Sequence, residues 1–460
     1  MSPPNILFVM TDQQRADAMG CSGGWVNTPN LDRIAAEGVR FANAVTNSPV
    51  CIPARVSLAT GRYPHNTSIW NNTHYDMPPD TPTWMQAVRE AGYHTSVFGK
   101  THLHHHHGDL RDREHLIHAY GLDEVNEIGG PRASARVGSH MTERWEEKGL
   151  WEDYQEDYAE RFDNKPWVVR PSVLPLEEYA DVYVGRQARQ YVEDYDREEP
   201  WFCWVSFGGP HEPWDTPEPY ASMYDPEDMP PPVDSEKILK KEGIGGCIGN
   251  RLRNAPEFTG EEVAAMRANY AANVTLIDEQ IGGILNTIEA RGEMDNTVVA
   301  FSSDHGEMNG DHGLIYKNQF LNGALRVPLL VRTPETARES TAGGVSHSPV
   351  EWFDIGPTLV ELAGGTLEHQ HFAQSLCPVL GDPGSEHRPF AVSEVHGEVM
   401  IMDREWKLVF DDEGVPYALF DQENDPEETV NRVAEPQAAE VVERLSEQVL
   451  RHLIRTQVRR

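Results

Sequence analysis

Short apolar stretches that alternate with helical patterns constrain the fold of this 460-residue chain more than any other feature. The first, residues 5–10, has the apolar, β-rich pattern of a strand buried on both faces. A helical pattern over 28–38 and a strand pattern over 39–45 follow it, and the alternation recurs as far as residues 326–333. Such alternation is typical of a parallel sheet covered by helices. The sequence therefore predicts an α/β fold with a doubly wound, mostly parallel sheet and helices on both faces.

The pattern changes near residue 388, where short segments with polar alternation suit a small antiparallel sheet. We therefore predict an α/β domain over residues 1–387 and a C-terminal antiparallel subdomain with a terminal helix over 388–460. Two stretches of the first domain, about 104–175 and 212–260, lack clear periodicity. Long segments of this kind are usually lids or binding elements, so we predict insertions over the mouth of a site.

A cysteine lies where a helix is predicted to begin. Pro53 suits the first turn, because its missing N–H would have no partner there, and Gly61 suits the left-handed residue that ends a helix. The positive end of a helix lowers the pKa of a thiol. Arg55 lies one turn further on, where its guanidinium can stabilise an anion at Cys51. Cys51 is thus either a nucleophile or a buried core cysteine.

Polar residues follow several of the predicted strands. In open α/β sheets ligands bind at the carboxyl ends of the strands, so these residues are candidates for one site. Each also fits an ordinary role as a helix cap, a turn residue or a surface residue. In chain order, the candidates are Asp12, Gln13, Lys100, His102, His211, Asp304, His305 and Lys317.

The stretch around Cys51 resembles the signature of the type I sulfatases of the alkaline phosphatase superfamily. It has Cys-x-Pro-x-Arg at 51–55, then Ser57, Thr60-Gly61-Arg62 and a Pro-His pair at 64–65. The resemblance implies that a formylglycine-generating enzyme oxidises Cys51 to formylglycine, whose hydrate is the nucleophile. One oxygen of such a diol attacks sulfur and the other expels the sulfate, whereas a sulfated serine would be a stable ester.

The resemblance also implies one divalent cation beside the nucleophile. Asp12, Gln13, Asp304 and His305 resemble its ligands, and the residue derived from Cys51 completes the set. Oxygen-rich ligation favours Ca²⁺. The imidazole and the amide are compatible with Mn²⁺ or Mg²⁺ as well.

The remaining candidates resemble the residues that handle the sulfate group. Arg55 would hold the nucleophile, and Lys100 would hold the sulfate. His102 would accept the second proton of the diol, while His211 and Lys317 would flank the leaving oxygen. The implied reaction is the hydrolysis of an aryl or carbohydrate sulfate monoester. Phosphonate hydrolases of the superfamily carry other residues in place of Lys100 and His102, which favours the sulfatase.

Three other functions stay open. A phosphonate monoester or phosphodiester hydrolase would share the Asp-Gln and Asp-His ligand pairs. Asn72 resembles a residue that contacts the transferred group in such enzymes, with Asn71 and His74 as close competitors. The second alternative is a thiolate enzyme with an unmodified cysteine. The third is a non-catalytic metal-binding protein built on the four histidines at 104–107, for which we favour a loop that borders the pocket.

Charge and cysteine content restrict the partners. A formal net charge of −35 argues against nucleic acid as a partner, since phosphate binding needs a basic surface. The apolar runs are too short to span a bilayer, so no membrane association is expected. Five cysteines without disulfide or zinc spacing, and a start without a basic or cleavable segment, predict a cytoplasmic protein. Both a monomer and a homo-oligomer remain open.

Overall fold

A computed structural model of the protein describes residues 3–73, 75–234, 239 and 243–458. The described residues form one eight-stranded sheet, with the strand order β4-β3-β5-β1-β6-β7-β2-β8. Every neighbouring pair is parallel except the two pairs made by β7. The strands are β1 Asn5–Thr11, β2 Val39–Val45, β3 His94–Gly99, β4 Glu124–Glu127, β5 Trp201–Ser206, β6 Thr297–Ser303, β7 Leu329–Arg332 and β8 Gly344–Glu351.

The central strand β1 shows why the sheet is covered on both faces. Its side chains alternate between two hydrophobic cores, with Ile6 and Phe8 in one and Leu7 and Val9 in the other. All four side chains are fully buried. The sheet therefore has helices on both faces, and the predicted fold class is confirmed.

The helices of the described residues include the predicted ones at 28–38 and 51–60. An apolar stripe at helical spacing over residues 261–288 also predicts the longest of them. The helical segments are Pro29–Glu37, Cys51–Thr60, Pro64–Thr67, Trp84–Glu90, Glu114–Ala119, Gly130–Ser134, His140–Glu147, Trp151–Asn164, Ala180–Asp194, Gly246–Arg253, Gly260–Ala290, Asn322–Leu325, Ile355–Leu362, Cys377–Gly381 and Ala439–Arg455. In the part of the chain that the structure describes, no helix is both long enough and apolar enough to cross a membrane.

A separate four-stranded antiparallel sheet follows in the last part of the chain, as the sequence predicts. Its order is β12-β11-β10-β9. The terminal helix Ala439–Arg455 packs on this sheet through Leu445 and Val449, which share a hydrophobic cluster with Ile401 and Leu408. The division at residue 388 remains a prediction. The strands are β9 Ala391–Val395, β10 Glu398–Met402, β11 Trp406–Phe410 and β12 Pro416–Asp421.

Two segments differ from the sequence-based expectation. The region predicted as an insertion at 104–175 contributes the edge strand β4 to the main sheet and carries helices as well. Strand β4 has four residues, half of them partly exposed, so it lacks the apolar run that identifies a strand. The resemblance to the sulfatases also implies a helix over residues 350–362, yet the first two of these residues end strand β8 and the α-helix begins at Ile355.

All five cysteines are free thiols, in agreement with their spacing in the sequence. Cys51, Cys203 and Cys247 are buried. Of these three, Cys203 lies within strand β5, and burial raises the pKa of its thiol to about 12. Cys51 differs, because charged side chains surround it.

Candidate active site

Four neighbouring parallel strands bring the predicted site residues to one edge of the sheet. Strand β1 ends immediately before Asp12, and β6 ends immediately before Asp304. Strands β3 and β5 lie beside them in the order β3-β5-β1-β6. They lead to Lys100 and, five residues after β5, to His211. Because parallel neighbours end on the same side, side chains that are far apart in sequence meet there.

The helix Cys51–Thr60 presents Cys51 as its first residue, after an extended Val50. Gly61 ends the helix with φ 64° and ψ 25°, as predicted. The side-chain oxygen of Asn72 accepts a hydrogen bond of 2.9 Å from the backbone N–H of Ile52. The side chain of Asn72 therefore lies against the first turn of this helix, beside Cys51. Its competitor Asn71 instead accepts from the backbone N–H of Thr73, and His74 lies outside the described residues.

Asp12, Cys51, Asp304 and His305 form a buried cluster, named here the catalytic cluster. Their ligand atoms all lie within 4.8 Å of one another. The Sγ of Cys51 is 3.1 Å from Nε2 of His305 and 3.9 Å from Oδ1 of Asp12. The Nδ1 of His305 faces the carbonyl of Gly306 at 3.0 Å, which leaves Nε2 directed into the cluster. Two carboxylates, one imidazole and residue 51 suit a divalent cation.

Gln13 contributes to this cluster through its backbone. Its N–H donates to Oδ1 of Asp304 at 3.1 Å. Its side-chain amide lies between charged groups, donating to Glu212 at 2.8 Å and to Glu307, while Lys317 donates to its oxygen. The role of Gln13 as a metal ligand therefore remains a prediction.

Arg55 connects the two carboxylates of the catalytic cluster. Its side chain is fully buried, with Nε 2.7 Å from Asp304 and Nη2 3.0 Å from Asp12. Its Nη1 donates to the carbonyl oxygen of Lys100 at 2.5 Å. These contacts occupy the N–H groups of the guanidinium. Arg55 therefore connects the loops after β1, β3 and β6.

Lys100 places a second positive charge beside the same acids, since its Nζ donates to Oδ2 of Asp12. Burial alone would raise the pKa of the Cys51 thiol, but Lys100, Lys317 and His305 lower it well below its usual value. Burial and the thiolate of Cys51 would raise the pKa of Asp12, yet Lys100, His211 and Arg55 hold it well below its usual value. The site thus stabilises negative charge at residue 51.

His102 lies directly beside residue 51. Both side chains line the same cavity, and each shifts the pKa of the other. Burial and then the charge of Lys100 lower the pKa of His102 well below its usual value, so the ring is neutral. Among the described residues, its Nδ1 has no hydrogen-bond partner. A neutral imidazole with a free nitrogen beside the nucleophile can accept a proton.

His211 and Lys317 approach the cluster from the other side. The Nδ1 of His211 faces the carbonyl of its neighbour Glu212 at 2.8 Å, and its imidazole lines the cavity above Cys51. Burial would lower the pKa of Lys317, but Cys51 and then Glu212 raise it, so the ammonium group is charged. Lys317 therefore carries hydrogen-bond donors near residue 51, and Nε2 of His211 can donate there when the ring is protonated.

A cavity of about 230 Å³ opens onto Cys51. Among its lining residues are Asn72, Lys100, His102 and His211, together with imidazoles and guanidinium groups from other segments. The described residues that line it include no carboxylate. In a chain with a formal charge of −35, this cavity is a locally positive site, as an anionic substrate requires.

Three charged residues of the site had no role in the sequence analysis. Buried Glu212 and Glu307 flank the amide of Gln13. Arg132 pairs with Glu212 and lines the cavity. Burial raises the pKa of Glu212, but Arg132, His211 and Lys317 outweigh it and lower this pKa to about 2. The position of Glu212 next to His211 was the one signal available, because Arg132 lies 80 residues away in a segment without a pattern.

Comparisons with known proteins agree with this geometry. A family model described as "Sulfatase" matches residues 4–365, and one described as "N-sulphoglucosamine sulphohydrolase, C-terminal" matches residues 310–455. A choline-sulfatase from Rhizobium meliloti (strain 1021) is 29% identical over 94% of this chain and 83% of its own length. An arylsulfatase from Clostridium perfringens (strain 13 / Type A) is 28% identical over 98% of this chain and 94% of its own length.

Solved structures share the fold over nearly the whole chain. The crystal structure of a phosphonate monoester hydrolase of Agrobacterium radiobacter superposes with a TM-score of 0.79. It is 25% identical in sequence, and the match covers 98% of this chain and 96% of that one. The two sequence relatives and this structure therefore differ in the ester that their names specify.

Proposed function

The chain belongs to the sulfatase family, and we propose that it hydrolyses an aryl or carbohydrate sulfate monoester with a formylglycine hydrate derived from Cys51. The observation that carries the proposal is the catalytic cluster itself. Side chains that follow two strands far apart in sequence meet at residue 51, which is buried yet faces a cavity. A sulfatase hydrolase needs a nucleophile, positive charge for the sulfate oxygens and a donor for the leaving oxygen, and residues for each lie there.

Asp12, Asp304 and His305 would hold one divalent cation beside residue 51, because their oxygen and nitrogen atoms are already directed at one point. Such a cation lowers the pKa of an oxygen nucleophile and binds one oxygen of the ester. The preponderance of oxygen ligands favours Ca²⁺ over Mn²⁺ or Mg²⁺. The two carboxylates cannot separate, since Arg55 bridges them.

The protein side chains divide the remaining work. Lys100 binds the sulfate, and its ammonium group balances charge that develops on the equatorial oxygens. His102 accepts the proton of the second hydroxyl on residue 51, which lets the sulfated group collapse to the aldehyde. Lys317 donates to the bridging oxygen as the alcohol leaves, and so does His211 in its protonated form, from Nε2. A formylglycine-generating enzyme is the maturation partner that this chemistry requires.

A phosphonate monoester hydrolase is the second candidate function. The similarity to the solved hydrolase of Agrobacterium radiobacter favours it, as does the Asp-Gln pair at 12–13. Asn72 beside the first turn of the helix could contact a phosphoryl oxygen as well as a sulfuryl oxygen. The same nucleophile and cation would serve both reactions.

Parallel kinetics decide between the two. We expect kcat/KM of the matured protein for an aryl sulfate to exceed that for an aryl phosphonate monoester of the same leaving group. A larger value for the phosphonate would overturn the sulfatase assignment in favour of the second candidate.

The state of residue 51 is tested separately by the mass of the tryptic peptide that contains it. We expect the aldehyde form in active preparations, and no activity in Cys51→Ala. Cys21→Ala is the matched control, because Cys21 is a partly exposed free thiol outside the site. Full activity with an unmodified thiol at position 51 would instead support the thiolate enzyme.

A further inference from the structure

A second group of metal-ligating side chains lies outside the catalytic cluster. It consists of His104, His106 and Glu127, named here the histidine cluster. The Nε2 atom of His104 is 2.7 Å from one carboxylate oxygen of Glu127, and that of His106 is 3.1 Å from the other. These side chains are 0%, 2% and 1% exposed in the order His104, His106, Glu127. Alternate members of the run at 104–107 thus face one acid.

The other ring nitrogens show where the protons of these imidazoles lie. Nδ1 of His104 faces the carbonyl of His105 at 3.2 Å, and Nδ1 of His106 faces the carbonyl of Gly129 at 3.4 Å. A carbonyl only accepts, so each Nδ1 carries the hydrogen. The Nε2 atom then either carries a second hydrogen, as in an imidazolium that donates to Glu127, or presents a lone pair in a neutral ring.

A cation between these atoms would satisfy the lone pairs of the two neutral rings and of the carboxylate together. Metal-bound histidines usually donate their second N–H to a carbonyl or a carboxylate, which fixes the ring and the tautomer. Both imidazoles already have this arrangement. Glu127 is also held from behind, because the hydroxyl of Thr101 donates to one of its oxygens. The donors are therefore oriented in advance for an ion.

We propose that His104, His106 and Glu127 bind a second divalent cation, and that their two imidazoles and one carboxylate select Zn²⁺. Two histidines and one carboxylate are a recurring zinc ligand set with one position left open. No ligand is shared with the catalytic cluster, whose two carboxylates favour harder ions. The two sites thus differ in the metal they prefer.

The position of the histidine cluster gives the ion a task. Glu127 ends the edge strand β4, whereas His104 and His106 lie on the loop that also carries Lys100 and His102. The ring of His106 is 4.4 Å from that of His102. A bound ion would fasten this loop to the sheet and fix the distance of His102 from residue 51.

The test is metal binding by the full-length protein, with variants that separate the two sites. After chelation and dialysis, the wild type is titrated with Zn²⁺ and its metal content is measured. We expect tight stoichiometric binding that His104→Ala and Glu127→Gln abolish. His107→Ala is the matched control, because His107 belongs to the same run but is exposed and faces Arg113. It should bind Zn²⁺ as the wild type does.

Asp304→Asn distinguishes this proposal from the proposed function. We expect the variant to keep the Zn²⁺ and to lose the ion of the catalytic cluster. Loss of Zn²⁺ in Asp304→Asn but not in His104→Ala would overturn the proposal, as would a wild type that binds no Zn²⁺ tightly. Either result leaves the proposed function unaffected.

Co²⁺ provides a reading that needs no variant. Substituted into wild type whose catalytic cluster is first filled with Ca²⁺, it should give the intense visible absorption of a four-coordinate ion with nitrogen and oxygen ligands. If the variants fail to fold, this spectrum decides alone. The weak absorption of six-coordinate Co²⁺ would overturn the proposal.

Discussion

The catalytic cluster and the histidine cluster are both buried and both suit a metal ion, yet they balance their charges in opposite ways. In the first, the guanidinium of Arg55 bridges two carboxylates, and the ammonium of Lys100 pairs with one of them. In the second, a single carboxylate is met by two imidazoles that change charge easily. The comparison teaches that fixed charges build the reactive site, whereas titratable rings support the loop beside it.

Removal of Arg55 should have the largest effect, because it breaks the catalytic cluster and leaves the histidine cluster intact. Arg55→Met leaves Asp12 and Asp304 buried without their shared partner. We expect a loss of about 3–5 kcal/mol in the free energy of unfolding and a fall of kcat/KM by at least about 10³-fold. Urea unfolding and aryl sulfate kinetics measure the two effects.

Arg62→Met is the control for this variant. Arg62 lies just after the same helix, is partly exposed and donates to a backbone carbonyl. It should lose about 1 kcal/mol or less. Equal losses in the two variants would contradict the role given to Arg55.

Substitution of Glu127 tests the other side of the comparison. In metal-free protein, Glu127 accepts from Thr101 and from Nε2 of His104 and His106 when these rings are protonated. The amide of Glu127→Gln cannot accept all of these hydrogen bonds. We expect a loss of about 1–3 kcal/mol in the free energy of unfolding. Once the cation of the catalytic cluster is restored, kcat/KM should still be lower by about 10-fold, because the loop with Lys100 and His102 loosens.

If Glu127→Gln lowered the free energy of unfolding as much as Arg55→Met does, the two clusters would have to be treated as one structural unit. Unchanged kinetics would separate the histidine cluster from the reaction altogether. Glu124→Gln serves as the control, since Glu124 lies on the same strand but is exposed.

The smallest effect is expected from ionic strength. Salt should act on the cavity beside the catalytic cluster, which is open to solvent, and not on the buried histidine cluster. The net charge of −35 repels an anionic ester, whereas the positive groups in the cavity attract it at short range. Raising the salt concentration from about 10 mM to about 100 mM shortens the Debye length to about 10 Å and screens the repulsion first. We expect KM to fall by about twofold, equally with chloride and acetate. A rise in KM with both salts would contradict this balance.

Much of the catalytic cluster could be predicted from the sequence because its members follow apolar strands. Asp12 and Asp304 each come directly after a buried strand, and the two strands are parallel neighbours. The helix that begins at Cys51 could be predicted from Pro53 and Gly61. Strong local patterns thus determine where each of these side chains lies.

The partners of the histidine cluster could not be predicted in the same way. Glu127 lies 23 residues after His104 on a short, partly exposed strand. Arg132 and Glu212 meet across 80 residues, and Gln13 reaches Glu307 across 294. Contacts of this kind depend on how loops fold over the sheet. The periodicity of apolar residues does not predict the conformation of such loops.

The central claim is that Asp12, Asp304 and His305 hold a cation on which ester hydrolysis at residue 51 depends. The most direct measurement is the Ca²⁺ content and sulfatase activity of chelated, matured protein during readdition of Ca²⁺. We predict that one ion per chain binds and restores activity, and that Asp304→Asn loses both. Asp311→Asn, a buried acid on the same loop that pairs with Arg15 and Arg267, should keep both. Full activity in Asp304→Asn without bound Ca²⁺ would contradict the account.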